Sequence, residues 1–408
     1  MALRDLQRLS GLAFLTIGLA SMHAACSSDE STGSGASSGA NASTSSGSSG
    51  TSGSSGTSGS SGTSGSTGGP PTNPDDGPPA GNPAGTCVVP AEAQAESISS
   101  PTTVVGTGTP ASCTSEAFVA AVANGGVVTF DCGPAPAKIT LTETANVFND
   151  KPALVIDGGG KVTLSGGGKV RILYANACDP DHGGYASGVP GNCNEQVTPK
   201  VTVQNITFVD GDVRAGNVEK GGGGAMWIRG GRTKIVNARF FHNACDDLGS
   251  DVGGGAVRIL DFPTGGSTKR PVYVVNSTFG GKTSFGNTCA NGGALSSIGT
   301  SWKIYNSLFS DNRAIGTGAN DGNGGNGGAI YNDGNTIALD LCGTLMEDNR
   351  ANEGGSAIFF VSNDRSGNIS ITDSTLRNNP KGTFETAGFP GMFVQAQKPP
   401  TVTDSTIE

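Results

Sequence analysis

The chain has 408 residues, a formal net charge of −9, 67 glycines, nine cysteines and only 14% charged residues. Glycine without a strict three-residue period excludes a collagen, and the acidic balance argues against nucleic acid as a partner, because phosphate contacts need a basic surface. The length suggests a large fold, but the composition does not choose an enzyme over a binding module.

Residues 1–26 read as an export signal. Arg4 and Arg8 supply the positive end, and Leu12 to Met22 form an apolar run too short to span a bilayer. The run closes on His23-Ala24-Ala25-Cys26 and resembles a bacterial lipoprotein box, in which the cysteine becomes the lipidated first residue. That pattern prefers Leu three positions before the cysteine, where this chain has His23, so simple secretion stays open beside lipidation at Cys26. The expectation is an exported chain, either an outer-membrane lipoprotein facing the cell surface or a secreted protein, touching membrane only through an N-terminal lipid.

Residues 27–86 are Gly, Ser, Thr, Pro and Asn with almost nothing apolar, so nothing offsets the entropy of ordering them. They read as a disordered spacer, flexible to about Thr67 and stiffened by prolines beyond, with a root-mean-square reach of roughly 40 Å.

The folded part is expected over 87–408. Thr114 to Asn124 reads as a short helix, N-capped by Thr114 or Ser115 and ended by Gly125-Gly126, with Phe118, Val119 and Val122 on one side. Val127–Phe130, Ile139–Leu141, Leu154–Ile156, Val162–Leu164 and Val170–Leu173 read as short strands, with turns at Asp157–Gly160 and Ser165–Gly168.

From there a repeat takes over. Asn205, Asn237, Asn276, Asn306, Gly343, Asp373 and Asp404 recur at spacings of 30 to 39 residues. Two residues earlier stand Val203, Ile235, Val274, Ile304, Leu341, Ile371 and Val402; three residues later stand Phe208, Phe240, Phe279, Phe309, Met346, Leu376 and Ile407. Between them runs Gly-Gly-Ala-apolar, ending at Met226, Val257, Leu295 and Ile330, with an extra residue before Ile358. A third series is Asn243, Asn287, Asn312, Asn349 and Asn379. Alternating strands with a polar turn at a fixed register predict an all-β solenoid of parallel coils, stacked at about 4.8 Å so that equivalent residues lie over one another. Asn suits such a turn because it tolerates the left-handed region and its amides can bond along the axis. The N-terminal helix would cover the solenoid's open edge.

This pattern resembles the right-handed parallel β-helix of the pectate-lyase-like superfamily. The motifs Gly327–Ile330, Phe240–Asn243 and Phe309–Asn312 are similar to repeats of chlamydial polymorphic outer-membrane proteins, a resemblance that implies surface adhesion and covers roughly residues 113–408.

Cysteines follow from the coils. Cys245 and Cys289 each lie two residues after a repeat asparagine, so stacking places them about 5 Å apart, within disulfide reach. Cys178 and Cys193 flank an insertion, and Cys113 and Cys132 flank the helix and first strand. Cys87 and Cys342 are left over, and coil counting sets them far apart. No C-x-x-C pair supports zinc or thioredoxin chemistry.

Chemistry is less marked. If Met226, Val257, Leu295, Ile330 and Ile358 point inward, Trp227, Arg258, Ser296, Tyr331 and Phe359 stack outward. Such a stripe would hold a polysaccharide, rings on sugar faces and guanidinium on a carboxylate, unless loops cover it. Asp246, Asp247 and Asp251 are the candidate Ca2+ ligands. Polysaccharide lyases of this superfamily use acidic residues for calcium and Arg or Lys as base, which implies Arg258 or Arg313 as catalytic, although the pectate lyase signature around its arginine is missing. His182 and His242 read as surface residues. The expectation is a surface-displayed, non-catalytic protein that binds polysaccharide or another cell surface. A calcium-assisted lyase on an acidic glycan and a purely structural surface protein are the alternatives. Net negative charge disfavours an anionic polymer unless calcium bridges it.

Overall fold

A computed structural model describes residues 77–182, 193–214 and 221–408. The export signal, Cys26 and the spacer as far as residue 76 lie outside the described residues. The described chain is an all-β right-handed parallel β-helix with one α-helix, Ser115–Asn124, near its start. Its coils contribute to sheets of ten, eight and nine strands, with a further sheet of three.

The repeat columns are the rungs. In the ten-stranded sheet, Val128, Ile156, Val203, Ile235, Val274, Ile304, Leu341, Ile371 and Val402 pair one after another. The nine-stranded sheet stacks Ile139, Leu164, Phe208, Phe240, Phe279, Phe309, Met346, Leu376 and Ile407. The eight-stranded sheet stacks Ala145, Leu173, Met226, Val257, Leu295, Ile330, Ile358 and Met392. Apart from Val402, which is exposed on the last coil, the three columns face one continuous core. No coil could bury these side chains alone. Phe208, Phe240, Phe279 and Phe309 lie ring over ring at 4.9, 4.7 and 4.7 Å, each pair adding about 1 kcal/mol beyond the area it buries.

Two asparagine series play different parts. The first, Asn205, Asn237, Asn276 and Asn306 with Gly343, Asp373 and Asp404, sits at positive φ throughout, between 45° and 63°, as a left-handed turn requires. Its amides join only in part: Asn237 donates to Asn205 at 3.0 Å, while Asn306 turns aside to Cys87. The continuous amide ladder belongs to the second series. Asn243, Asn287, Asn312 and Asn349 each donate through Nδ2 to the next Oδ1, at 2.9 to 3.0 Å, ending on Asn379. The same Nδ2 atoms cap strand carbonyls at Phe208, Phe240, Phe279 and Phe309.

The helix starts and stops where expected. Thr114 accepts from Ala117 N at 3.2 Å, and Gly125 ends the helix at φ 69°. Phe118, Ala121 and Val122 enter the core while Val119 is only partly covered. The helix packs on the strands Ala145–Val147 and Thr103–Val105, closing the first coil. Ala145–Val147 is a strand the alternation did not reveal, and Val170–Leu173 is displaced to Leu173–Asn176, because the Gly166–Gly168 turn consumes the residues before it.

Residues 77–100 run outside the solenoid as a strap. Asn82 N donates to Asn306 O and its Nδ2 to Gly343 O. Ala93 packs on Val236 and Val275, and Gln204 makes two bonds to the Glu96 backbone. The chain then enters the first rung at Thr103–Val105, paired with Val128–Phe130. Residues 77–86, expected as spacer, are therefore seated on the fold. This path overturns the separation expected for Cys87 and Cys342: they form a disulfide with Cα atoms 5.9 Å apart. Coil counting fails here because the strap precedes the first coil in sequence but crosses later coils in space. It also explains Gly343, where a Cβ would meet Asn306 Oδ1 and, at 3.3 Å, Cys87 Sγ. The three expected pairs are present: Cys113–Cys132, Cys178–Cys193 and Cys245–Cys289.

Candidate functional site

The expected ligand stripe stacks in register but is closed off. Trp227, Arg258, Ser296, Tyr331 and Phe359 pair rung by rung in the eight-stranded sheet and point away from the core. All five are nonetheless buried. Backbone at Gly221–Gly223 lies over Trp227 and Arg258, Asn320 bonds the Tyr331 hydroxyl at 3.2 Å, and Phe384 packs on Phe359. Parity was legible from alternation; the covering loops were not, because they carry no repeat.

The lyase constellation does not assemble. Arg258 is buried in the eight-stranded sheet, and burial pushes its guanidinium down to about 10. Arg313 lies in the three-stranded sheet, exposed and held by Asp311 of its own coil at 3.0 Å. Asp246, Asp247 and Asp251 do not converge. Among the described residues one group of three ligand types lies within reach of a single ion: Cys87, Cys342 and Asp373. There the two sulfurs are bonded to each other. The Asp trio is spread along a non-repeating loop, whose conformation spacing in sequence does not set. His182 is not a free surface residue: it bonds Asp179 at 2.9 Å and packs against the Phe148 and Tyr174 rings.

A different face offers an open site. On the nine-stranded sheet the residues between inward ones point outward, giving Lys138, Thr163, Thr207, Val209 and Phe241. With Pro136, Asp210, His242 and Phe285 they line a surface groove of about 380 Å³. Phe241 and Thr207 lie buried beneath its surface, and Phe241 meets the half-buried Phe285 edge-on at 5.3 Å. The strap borders it, since a Cβ on Gly77 would stand 2.7 Å from the Phe241 ring and 2.8 Å from Phe285.

The polar wall is tied together by one carboxylate. Asp210 receives Lys138 Nζ at 3.3 Å and Ser165 Oγ at 3.2 Å, and His242 Nδ1 stands 3.7 Å away. Both turn residues sit at positive φ, 53° for Asp210 and 56° for His242, which aims their side chains along the groove's edge. The Lys282 ammonium lies 3.9 Å from the Phe285 ring centre, a cation–π contact that fixes the ring's pose. The accessible lining joins the Phe285 ring to a cation, an anion, an imidazole and the Thr163 hydroxyl. Among the described residues Asp210 is the single carboxylate of the groove lining.

A second groove, about 450 Å³, lies where the coils turn near Phe262, Ile298 and Asp364. Its Asp261 is pushed up to about 6 by burial, against the opposing pull of Arg270 2.8 Å away. Of these residues only His242 stood out in the sequence. The outward positions beside the Phe column, Thr207 and Phe241, were the signal available.

Fold and surface together define a β-helical scaffold, an architecture that carries binding and catalytic sites alike. Comparison with protein-family models, with curated proteins and with solved structures finds no match.

Proposed function

We propose that this chain is a surface-displayed binding protein that holds a polysaccharide in the groove bordered by Lys138, Asp210, His242 and Phe285 without turning it over. The groove itself carries the reading. The half-buried Phe285 ring supplies an apolar surface for sugar C–H groups, and Lys138, Asp210 and His242 supply both donors and acceptors for hydroxyls. The net charge of −9 favours a neutral glycan over an acidic one. The lipoprotein-like ending at Cys26 and the Gly/Ser/Thr spacer support display from a membrane through an N-terminal lipid, with secretion as the variant of that reading.

Titration calorimetry against neutral and acidic oligosaccharides tests the proposal. A neutral oligosaccharide should bind, and Phe285→Ala should weaken it about tenfold, equivalent to about 1.4 kcal/mol. Asp210→Asn should weaken it as well. Binding unchanged in both variants, or no binding by any glycan, removes the groove from consideration.

A further inference from the structure

The eight-stranded sheet buries a cation, Arg258, that has no ion-pair partner among the described residues. Arg258 is 4% exposed and makes one hydrogen bond, from Nη1 to Ser296 Oγ at 3.1 Å. No carboxylate stands within ion-pair distance of it among the described residues. Asp251 acts on it through space only, and Tyr331 is the other titrating group that faces it. Among the described residues its Nε is a buried donor without an acceptor, and so is the neighbouring indole nitrogen, Trp227 Nε1.

These two orphaned donors converge. A Cβ placed on Gly221 would lie 3.6 Å from Trp227 Nε1 and 3.8 Å from Arg258 Nε, so one point serves both. Among the described residues the cover over this point is glycine backbone: Gly221 leads into Gly222 and Gly223, which pair with Gly253 and Gly254 of the next coil. Trp227 is held from below by Tyr174, stacked at 5.1 Å, so its N–H direction is set by packing.

We infer that Trp227, Arg258 and the glycine strip form a binding site for a carboxylate group. A water could accept from both donors, but it would leave the guanidinium uncompensated, and an isolated buried charge is far costlier than an orphaned dipole. A carboxylate supplies the charge and two acceptor oxygens for two N–H groups. The carboxylate comes from a free small acid or from the acid group of a uronic sugar. This site is on another sheet from the groove over Phe241, and neither reading depends on the other.

Thermal unfolding of the full-length chain at fixed ionic strength tests it, comparing sodium chloride with sodium acetate, sodium galacturonate and galactose. Acetate or galacturonate should raise the wild-type midpoint by several degrees relative to chloride, and galactose should not. Response to both acids assigns a small-acid site; response to galacturonate alone assigns an acidic-sugar site. Arg258→Met should abolish the shift. Gly221→Ala leaves the charge in place but puts a methyl into the space, and it should abolish the shift too, which covers the case of a poorly folding Arg258 variant. Equal shifts in wild type and both variants would overturn the inference. So would no shift with either acid, which assigns the space to ordered water only.

Discussion

Asn312→Ala tests whether the inner amide ladder holds the coils together. Asn312 Oδ1 accepts from Asn287 N at 3.1 Å and from Asn287 Nδ2 at 2.9 Å. Its Nδ2 donates to Phe279 O at 2.9 Å, to Asn349 Oδ1 at 3.0 Å and to Ser310 O at 3.3 Å. Alanine removes all five bonds where water does not reach, since Asn287, Asn312 and Asn349 are fully buried. Asn349 Oδ1 keeps a donor in Asn312 N. The Asn287 backbone N–H and one proton of its amide do not keep an acceptor. Two such orphans at about 1–3 kcal/mol each give a loss of about 4 kcal/mol. Asn276→Ala is the control. It changes an outer turn residue at φ 45°, where losing tolerance of the left-handed region costs about 1–2 kcal/mol. Urea unfolding followed by circular dichroism reads both, compared at matched m-values because stacked repeats can lose cooperativity. If Asn312→Ala loses no more than Asn276→Ala, the buried ladder is not what ties adjacent coils, and the argument from unsatisfied donors fails.

Two other perturbations follow from the fold. Replacing Cys87 and Cys342 by serine opens a loop of 255 residues; chain-entropy arithmetic puts the loss at about 5 kcal/mol, and limited proteolysis should cut the freed strap first. A strap that stays protected would show that its hydrogen bonds alone seat it. Asp261 binds its proton more tightly folded than unfolded, with burial raising it from 3.8 to about 6. Its contribution is therefore full below about pH 4 and is lost as pH rises through about 6, on the order of 3 kcal/mol. The difference between wild type and Asp261→Asn in unfolding midpoint, measured from pH 4 to 7, should follow that fall; a difference independent of pH would contradict it.

The coil architecture was legible because stacking repeats it. Each rung sets the same demand on the next, so Val203, Ile235, Val274 and Ile304, or Phe208, Phe240, Phe279 and Phe309, state one packing requirement several times over. A disulfide inside that repeat, Cys245–Cys289, was readable for the same reason. The helix over Ser115–Asn124 was readable from local chemistry, a capping threonine and a stopping glycine pair.

The strap and the loops over the eight-stranded sheet state their positions once. Nothing in residues 77–100 repeats, so only the folded chain brings Cys87 to Cys342 or Gly77 to Phe241. The same loops turned an outward stripe of Trp227, Arg258, Tyr331 and Phe359 into a buried one, while the unremarked face with Lys138, Asp210 and His242 stayed open. Periodic contacts between neighbouring coils can be written in spacing. Contacts across many coils depend on where non-repeating backbone lies after folding, and in this chain those contacts decide which surface a ligand can reach.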